Sequence, residues 1–170
     1  MVRPGAERVM EASIMVTMKQ IFETALISEL RLPEVVTVEE ATPLGEVWDL
    51  MCKHRFGSAP IVRDGKLVGI FTERDWLNRV LCKNVSLDRP ISDVMTPNPT
   101  TLGEFDRMWR AAEIMGEQRI RHLPIVDDEG CPKSMISVRD VLQYLAECFP
   151  EEFLAHPPDP DNICLQAESG

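Results

Sequence analysis

Two stretches of this sequence echo each other, Gly69-Ile70-Phe71-Thr72-Glu73-Arg74-Asp75 and Ser134-Met135-Ile136-Ser137-Val138-Arg139-Asp140. Each begins with a hydrophobic run that predicts a β-strand, and each ends with Ser or Thr followed three residues later by Asp. That spacing is typical of a capping box, in which both side chains satisfy free backbone N–H groups where a helix begins. Two copies 65 residues apart therefore indicate an internal repeat.

Two further pairs of matches extend the repeat toward the N-terminus. The offset is 64 residues between Ala59-Pro60-Ile61-Val62 and Leu123-Pro124-Ile125-Val126, and also between Ile27-Ser28-Glu29-Leu30 and Ile91-Ser92-Asp93-Val94. The additional residue falls where Asp64-Gly65 becomes the longer Asp127-Asp128-Glu129-Gly130. This stretch is predicted to be a turn, which is where an insertion is best tolerated.

The repeat divides the chain of 170 residues into four predicted segments. They are an N-terminal extension with a helix (1–26), a first repeat (27–89), a second repeat (90–148) and an acidic, proline-containing tail (149–170). The formal net charge is −10, and half of it falls in the tail. This composition predicts an extended tail.

The first repeat has the pattern of a βαββα unit. Strands are predicted at 35–38, 59–63 and 66–71, with Asp64-Gly65 as a tight hairpin turn. A helix is predicted at 43–54, with Thr42 as its N-cap and Gly57 just beyond its end. Thr72 should cap a second helix, whose apolar face is Trp76, Leu77, Val80 and Leu81.

The second repeat predicts the same order of elements. A helix is expected at 107–116 with Asp106 as its cap, followed by strands at 123–126 and 134–136 and by a last helix that carries Val141, Leu142 and Leu145. Because proline cannot donate a hydrogen bond within a sheet, Pro132 predicts a strand that starts late or lies at an edge. A unit of about 60 residues has a marginal core, so we expect the two units to pack sheet to sheet with pseudo-twofold symmetry. The predicted fold class is α/β in this mixed α+β form.

The doubled strand–turn–strand–helix signature in residues 27–147 resembles the cystathionine β-synthase (CBS) domain. In each copy, Pro-Ile-Val is joined to a hydrophobic run that ends in Ser/Thr-x-x-Asp. The resemblance implies a small stand-alone pair of CBS domains of the bacterial type. It also implies clefts that bind adenosine compounds such as AMP, ADP, ATP or S-adenosylmethionine, and a disk-like homodimer.

The chemistry of the repeated turn suits a nucleoside ligand. A carboxylate is a good acceptor for two ribose hydroxyls, so Asp75 and Asp140 are the predicted ribose ligands, as the resemblance also implies. Free N–H groups at a helix start favour an anion. The predicted phosphate ligands there are therefore Thr72 and Arg74 in the first copy and Ser137 and Arg139 in the second. A simpler interpretation, in which both motifs are helix caps alone, is also open.

A second basic cluster, Arg119, Arg121 and His122, precedes Leu123-Pro124, where the family often places residues that reach phosphates across the cleft. A solvated strand edge is an equal alternative. The matching positions of the first copy hold Arg55, Gly57 and Ser58, so the chemistry of the two copies differs. For the adenine base we expect contacts from Thr37, Ala59, Ile61, Gly69 and Leu123. Gly69 leaves room for a ligand, whereas Ser134 and Pro132 crowd the second pocket.

The remaining sequence features limit the possible functions. An acidic chain is poorly suited to bind nucleic acid, because it repels the phosphates. No hydrophobic stretch is long enough to span a bilayer. Five scattered cysteines without a C-x-x-C pair indicate a reducing, cytoplasmic setting, and the three histidines show no metal-ligand spacing. No P-loop or nucleophile elbow is present, so we predict a non-enzymatic regulatory module that needs no cofactor. Its partners would be an adenosine ligand, a second copy and an unknown regulated protein. A structural protein that has lost its ligand is the alternative.

Overall fold

The computed structural model describes residues 20–149, apart from residue 22. The predicted tail and most of the N-terminal extension lie outside the described residues. The first repeat contains β1 (Val38–Glu39), α1 (Leu44–His54), β2 (Ser58–Arg63), β3 (Lys66–Thr72) and α2 (Glu73–Asp75), which runs into a π-helical segment (Trp76–Leu81). The second contains β4 (Thr96–Pro97), α3 (Met108–Gln118), β5 (His122–Val126), β6 (Pro132–Ser137) and α4 (Val138–Cys148). Short 3₁₀ turns lie at Ile27–Glu29 and Ile91–Asp93.

The strands form two separate sheets, as the repeat predicts. One sheet has the order β1-β2-β3-β4, in which β1 is parallel to β2 and the other pairs are antiparallel. The other sheet is the β5-β6 pair, flanked by a parallel bridge from Leu102 to Ile125 and an antiparallel bridge from Glu34 to Ser134. These bridges occupy the places that β1 and β4 hold in the first sheet. The fold is therefore a mixed α+β pair of similar units.

Each repeat gives its leading segment to the other repeat's sheet and core. β4 pairs with β3 of the first repeat, whereas Glu34 pairs with β6 of the second. Likewise Ile91 is buried in the core around α1, and Ile27 is buried in the core around α3. This exchange corrects the predicted strand at 35–38, because Val35 donates its N–H to Lys133 of the second repeat and only Val38 belongs to β1.

The hairpin prediction is confirmed, but several predicted helix ends are displaced. Asp64 and Gly65 have φ values of 52° and 78°, as a tight turn of this kind requires. Pro43, not Thr42, is the N-cap of α1, and backbone carbonyls of the loop before residue 90 accept the first helical N–H groups. Arg107, not Asp106, precedes α3, because the Asp106 carboxylate instead accepts a hydrogen bond from the Gly103 N–H.

Helix ends and apolar faces show further differences from the predictions. Arg55 is the C-cap of α1 and Arg119 is the C-cap of α3, with left-handed φ values of 55° and 53°. Gly57 lies two residues beyond this C-cap of α1, so it does not cap the helix. In the π-helical segment the wider turn leaves Leu77 and Leu81 exposed, and Leu142 of α4 is exposed as well. β6 begins at Pro132, earlier than predicted, because a register shift lets Pro132 pair with Val126.

Candidate functional site

Two clefts lie between the repeats, at positions that the repeat relates to each other. The first encloses about 250 Å³ and is lined by Gly57, Ile70, Thr72, Glu73, Arg74, Asp75, Thr96, Pro99, Thr100, Gln118, Ile120, Arg121, His122 and Pro124. The second encloses about 310 Å³ and is lined by Pro33, Glu34, Val35, Val36, Arg55, Phe56, Gly57, Ser58, His122, Met135, Ser137 and Asp140. Because each cleft takes walls from both repeats, a ligand in either one would contact both.

The turn beside the first cleft is a complete capping box. Asp75 Oδ2 accepts hydrogen bonds from the Thr72 backbone N–H (3.0 Å) and hydroxyl (2.7 Å), and the Asp75 N–H donates to Thr72 Oγ1. The other carboxylate oxygen, Oδ1, lies 3.2 Å from Arg79 Nε. Arg79 also donates to the carbonyls of Val94 and Met95. Asp75 is thus held by contacts within the protein on both of its oxygens.

The turn beside the second cleft has the same box without the ion pair. Asp140 Oδ2 accepts hydrogen bonds from the Ser137 N–H (2.7 Å) and hydroxyl (2.6 Å). Tyr144 stands at the position that matches Arg79, and its hydroxyl donates to Glu29 Oε2 at 3.2 Å. Burial raises the pKa of Tyr144 to about 12, so the hydroxyl stays a neutral donor. Among the described residues, Asp140 Oδ1 therefore has no cationic partner.

The basic residues that the sequence predicted are distributed unequally. Arg74 and Arg121 line the first cleft, and Arg74 Nη1 crosses it to donate to the Arg119 carbonyl at 3.2 Å. Arg139 matches Arg74 in the repeat, but it is exposed and lines neither cleft. Arg55 is the arginine on the wall of the second cleft. Positive charge is therefore concentrated in the first cleft.

His122 lies between the two clefts and lines both. Its imidazole faces Gly57, where an added Cβ would be only 3.2 Å from Cε1, so glycine permits this close approach. Burial, and secondarily the neighbouring Arg121, lowers the pKa of His122, although Glu73 and Asp140 oppose this shift. A neutral imidazole at this point can donate or accept a hydrogen bond on either side.

The residues predicted for the base pocket lie elsewhere. The side chains of Ala59, Ile61 and Leu123 are buried in the two cores, since they point to the inner face of their strands. Gly69 faces the Met95 side chain, and Thr37 is exposed away from both lining sets. These five residues are therefore not walls of either cleft, and the expected crowding by Pro132 and Ser134 does not bear on the second cleft, whose wall excludes both.

The cleft walls that could not be predicted from the sequence come largely from the exchanged segments. Pro99 and Thr100 follow β4 and close the first cleft, while Val35 and Val36 close the second. A signal was present, because these pairs are separated by the repeat offset of 64 residues. Their sheet partners, however, lie in the other repeat.

The described residues contain neither a metal-binding cluster nor a membrane-spanning helix. Within residues 20–149, apart from residue 22, no group of three or more His, Cys, Asp or Glu side chains could hold a metal ion. No helix in that part of the chain is long and apolar enough to cross a membrane.

Two units of this fold, with a helix-capping Ser/Thr-x-x-Asp turn beside each cleft, define a tandem repeat of a known family. The family model described as "CBS domain" matches residues 27–81 and 91–147. The chain therefore belongs to the CBS-domain family.

Relatives and solved structures place the chain among paired CBS domains. Inosine-5′-monophosphate dehydrogenase of Aquifex aeolicus is 36% identical over 110 residues, which cover 64% of this chain but 22% of the dehydrogenase. A CBS domain protein of Pyrobaculum aerophilum, solved with AMP, is 29% identical and has a TM-score of 0.65 over 72% of this chain and 99% of that one. The CBS domain pair of protein MJ0100, solved with 5′-methylthioadenosine and S-adenosyl-L-methionine, is 27% identical with a TM-score of 0.65 over 74% and 98% of the two chains. The chain spans about a quarter of the length of the first curated relatives that it matches.

Proposed function

We propose that this protein is a regulatory module that binds an adenosine nucleotide, such as AMP, in its first cleft. The observation that carries the proposal is the position of Arg74 and Arg121 on the wall of a cleft beside the Thr72–Asp75 turn. Two guanidinium groups on one wall favour a phosphate, because each presents a fork of donors to its oxygens. The proposal is supported by the AMP complex of the Pyrobaculum aerophilum relative.

The same cleft offers a place for each part of the nucleotide. Asp75 would accept from ribose hydroxyls with the lone pairs that Thr72 and Arg79 leave unused. Thr72, Arg74, Arg121 and His122 would face the phosphate, and Ile70, Ile120 and Pro124 would contact the base. Arg74 would exchange its present bond to the Arg119 carbonyl for a charge-assisted bond to phosphate, which is stronger.

The regulatory part of the proposal follows from the shared walls. A ligand that contacts both repeats stabilises one relative arrangement of the two over others, and a partner that prefers that arrangement would respond to the ligand. The proposal includes no catalytic step, because binding alone supplies the free energy for this shift.

The test is calorimetric titration of AMP, ATP and S-adenosylmethionine into the protein, with thermal unfolding in parallel. We expect AMP to raise Tm. Arg74→Gln and Arg121→Gln should each weaken AMP binding by roughly 10- to 100-fold, because each removes a charge-assisted hydrogen bond. Arg139→Gln is the matched control, because this arginine occupies the repeat position of Arg74 but lines neither cleft. If none of the three ligands binds, the proposal fails and the structural alternative stands.

A homodimer is a further part of the proposal. An apolar groove of about 530 Å³ lies between α3 and α4, lined mainly by Ala112, Met115, Ile120, Val141, Leu142 and Leu145. In the first repeat, Trp48 and Trp76 occupy the positions that match Ala112 and Val141, and their rings stack with centroids 4.0 Å apart. The second repeat therefore leaves open an apolar surface that a second copy would cover in a twofold contact.

A further inference from the structure

The two clefts differ in the groups that face a ligand, and the difference begins at the ribose-facing aspartate. Asp75 Oδ1 is paired with Arg79 at 3.2 Å, whereas the matching Asp140 oxygen has no cationic partner among the described residues. An unpaired carboxylate oxygen is the stronger acceptor for a hydroxyl pair, because no cation competes for its lone pairs. The second cleft thus has the more available diol acceptor.

The charges around the 5′ end of a nucleoside differ as well. In the first cleft two arginines face two carboxylates, and one of these, Asp75, is already neutralised by Arg79. In the second cleft Arg55 faces two carboxylates, Glu34 and Asp140. The first cleft is therefore positive by about one charge and the second negative by about one, so a phosphate is attracted to the first and repelled from the second.

The wall residues of the two clefts also differ in polarity. Val36 stands in the second cleft where Thr100 stands in the first, and Val35 where Pro99 stands. Phe56 and Met135 match Ile120 and Ile70, so the surface that would face the base is apolar in both clefts. Val36 is 41% exposed, so it forms part of the open wall and not of the core. An apolar 5′ substituent fits this wall better than a hydrated phosphate does.

We propose that the second cleft binds an adenosine compound without phosphate, with a neutral, apolar 5′ substituent, while the first cleft binds the phosphorylated nucleotide. The inference rests on the proposed function, because it assigns a different ligand class to each of the two clefts. Asp140 is then the ribose ligand that determines nucleoside affinity. Two residues of the described walls line both clefts, Gly57 and His122. Since glycine has no side chain, His122 is the side chain that both ligands would contact.

The experiment titrates adenosine, 5′-methylthioadenosine and AMP separately, and then 5′-methylthioadenosine into protein saturated with AMP. We expect the nucleosides to bind one site that AMP does not block. Asp140→Asn should weaken them by roughly 10- to 100-fold and leave AMP affinity within about twofold, while Arg139→Gln is the neighbouring control. Asn can still cap the helix, and circular dichroism checks that the variant is folded.

A second variant makes the test independent of any loss of folding. Val36→Arg places a cation on the exposed wall of the second cleft, so the stoichiometry of AMP should rise from one to two. Competition between AMP and the nucleosides for one site would overturn the inference, as would nucleoside binding that Asp140→Asn does not weaken. AMP binding without any nucleoside binding would also overturn it and leave the proposed function standing. Absence of AMP binding, in contrast, would contradict the proposed function itself.

Discussion

The substitution Gly69→Ala tests whether this glycine serves the core or the ligand. Gly69 pairs with Ile61 and with Pro97, at the centre of the four-stranded sheet. A Cβ at this position would lie 2.3 Å from Met95 Sδ and 2.9 Å from Met95 Cγ. Both distances are far inside van der Waals contact, so the Met95 side chain must move.

The size of the effect follows from two opposing contributions. Overpacking a core costs about 1–3 kcal/mol, and a flexible methionine places this case in the lower half of that range. Replacing glycine by alanine also restricts the unfolded chain, which returns about 0.4–1 kcal/mol. We therefore expect Gly69→Ala to lower the free energy of unfolding by roughly 1 kcal/mol, with AMP affinity unchanged.

Urea denaturation of four proteins measures this: wild type, Gly69→Ala, Met95→Ala and the double variant. In the Met95→Ala background the three atoms nearest to the added methyl group are gone, so the alanine should be neutral or stabilising by a few tenths of a kcal/mol. An equal loss in both backgrounds would refute the steric reasoning. A loss of AMP affinity without a loss of stability would instead indicate that Gly69 contacts the adenine base.

Three further predictions concern His122, the tryptophan stack and the apolar groove. Burial holds the pKa of His122 below 6.5, so as the pH falls the imidazole is protonated in the unfolded chain before it is protonated in the folded protein. The free energy of unfolding should therefore fall as the pH drops below about 6.5. The urea midpoint should depend less on pH in His122→Gln, and an unchanged dependence would contradict the lowered pKa of His122. Trp48→Ala should cost about 2–4 kcal/mol in urea unfolding, since it removes one ring of the stack with Trp76, and a loss below about 1 kcal/mol would show that the stack contributes little. Ala112→Trp should fill the groove and shift sedimentation from dimer to monomer, whereas Glu117→Gln on the same helix should not; a monomeric wild-type protein would remove the homodimer from the proposal.

Much of the fold could be predicted from the sequence because its signals are local. The Asp64-Gly65 turn, the caps at Thr72 and Ser137, and the spans of α1 and β3 depend on residues a few positions apart. The repeat offset adds one long-range statement, that both copies form the same unit, and the two separate sheets confirm it. The repeat also predicts which residues of the two turns face the clefts, such as Asp75 and Asp140.

The tertiary structure decided which residues meet across the repeats, because those contacts carry no local pattern. Nothing near Glu34 indicates that it pairs with Ser134, and nothing near Arg139 indicates that it lies outside the clefts while Arg74 lines one. The burial of Ala59, Ile61 and Leu123 depends on which face of a strand meets the core. An alternating or continuous apolar strand does not specify this face until the opposing layer is in place. The difference between the clefts likewise depends on a pair of matching residues, Arg79 and Tyr144. Arg79 pairs with Asp75 one helical turn earlier. Tyr144 instead donates to Glu29, which lies in an exchanged segment.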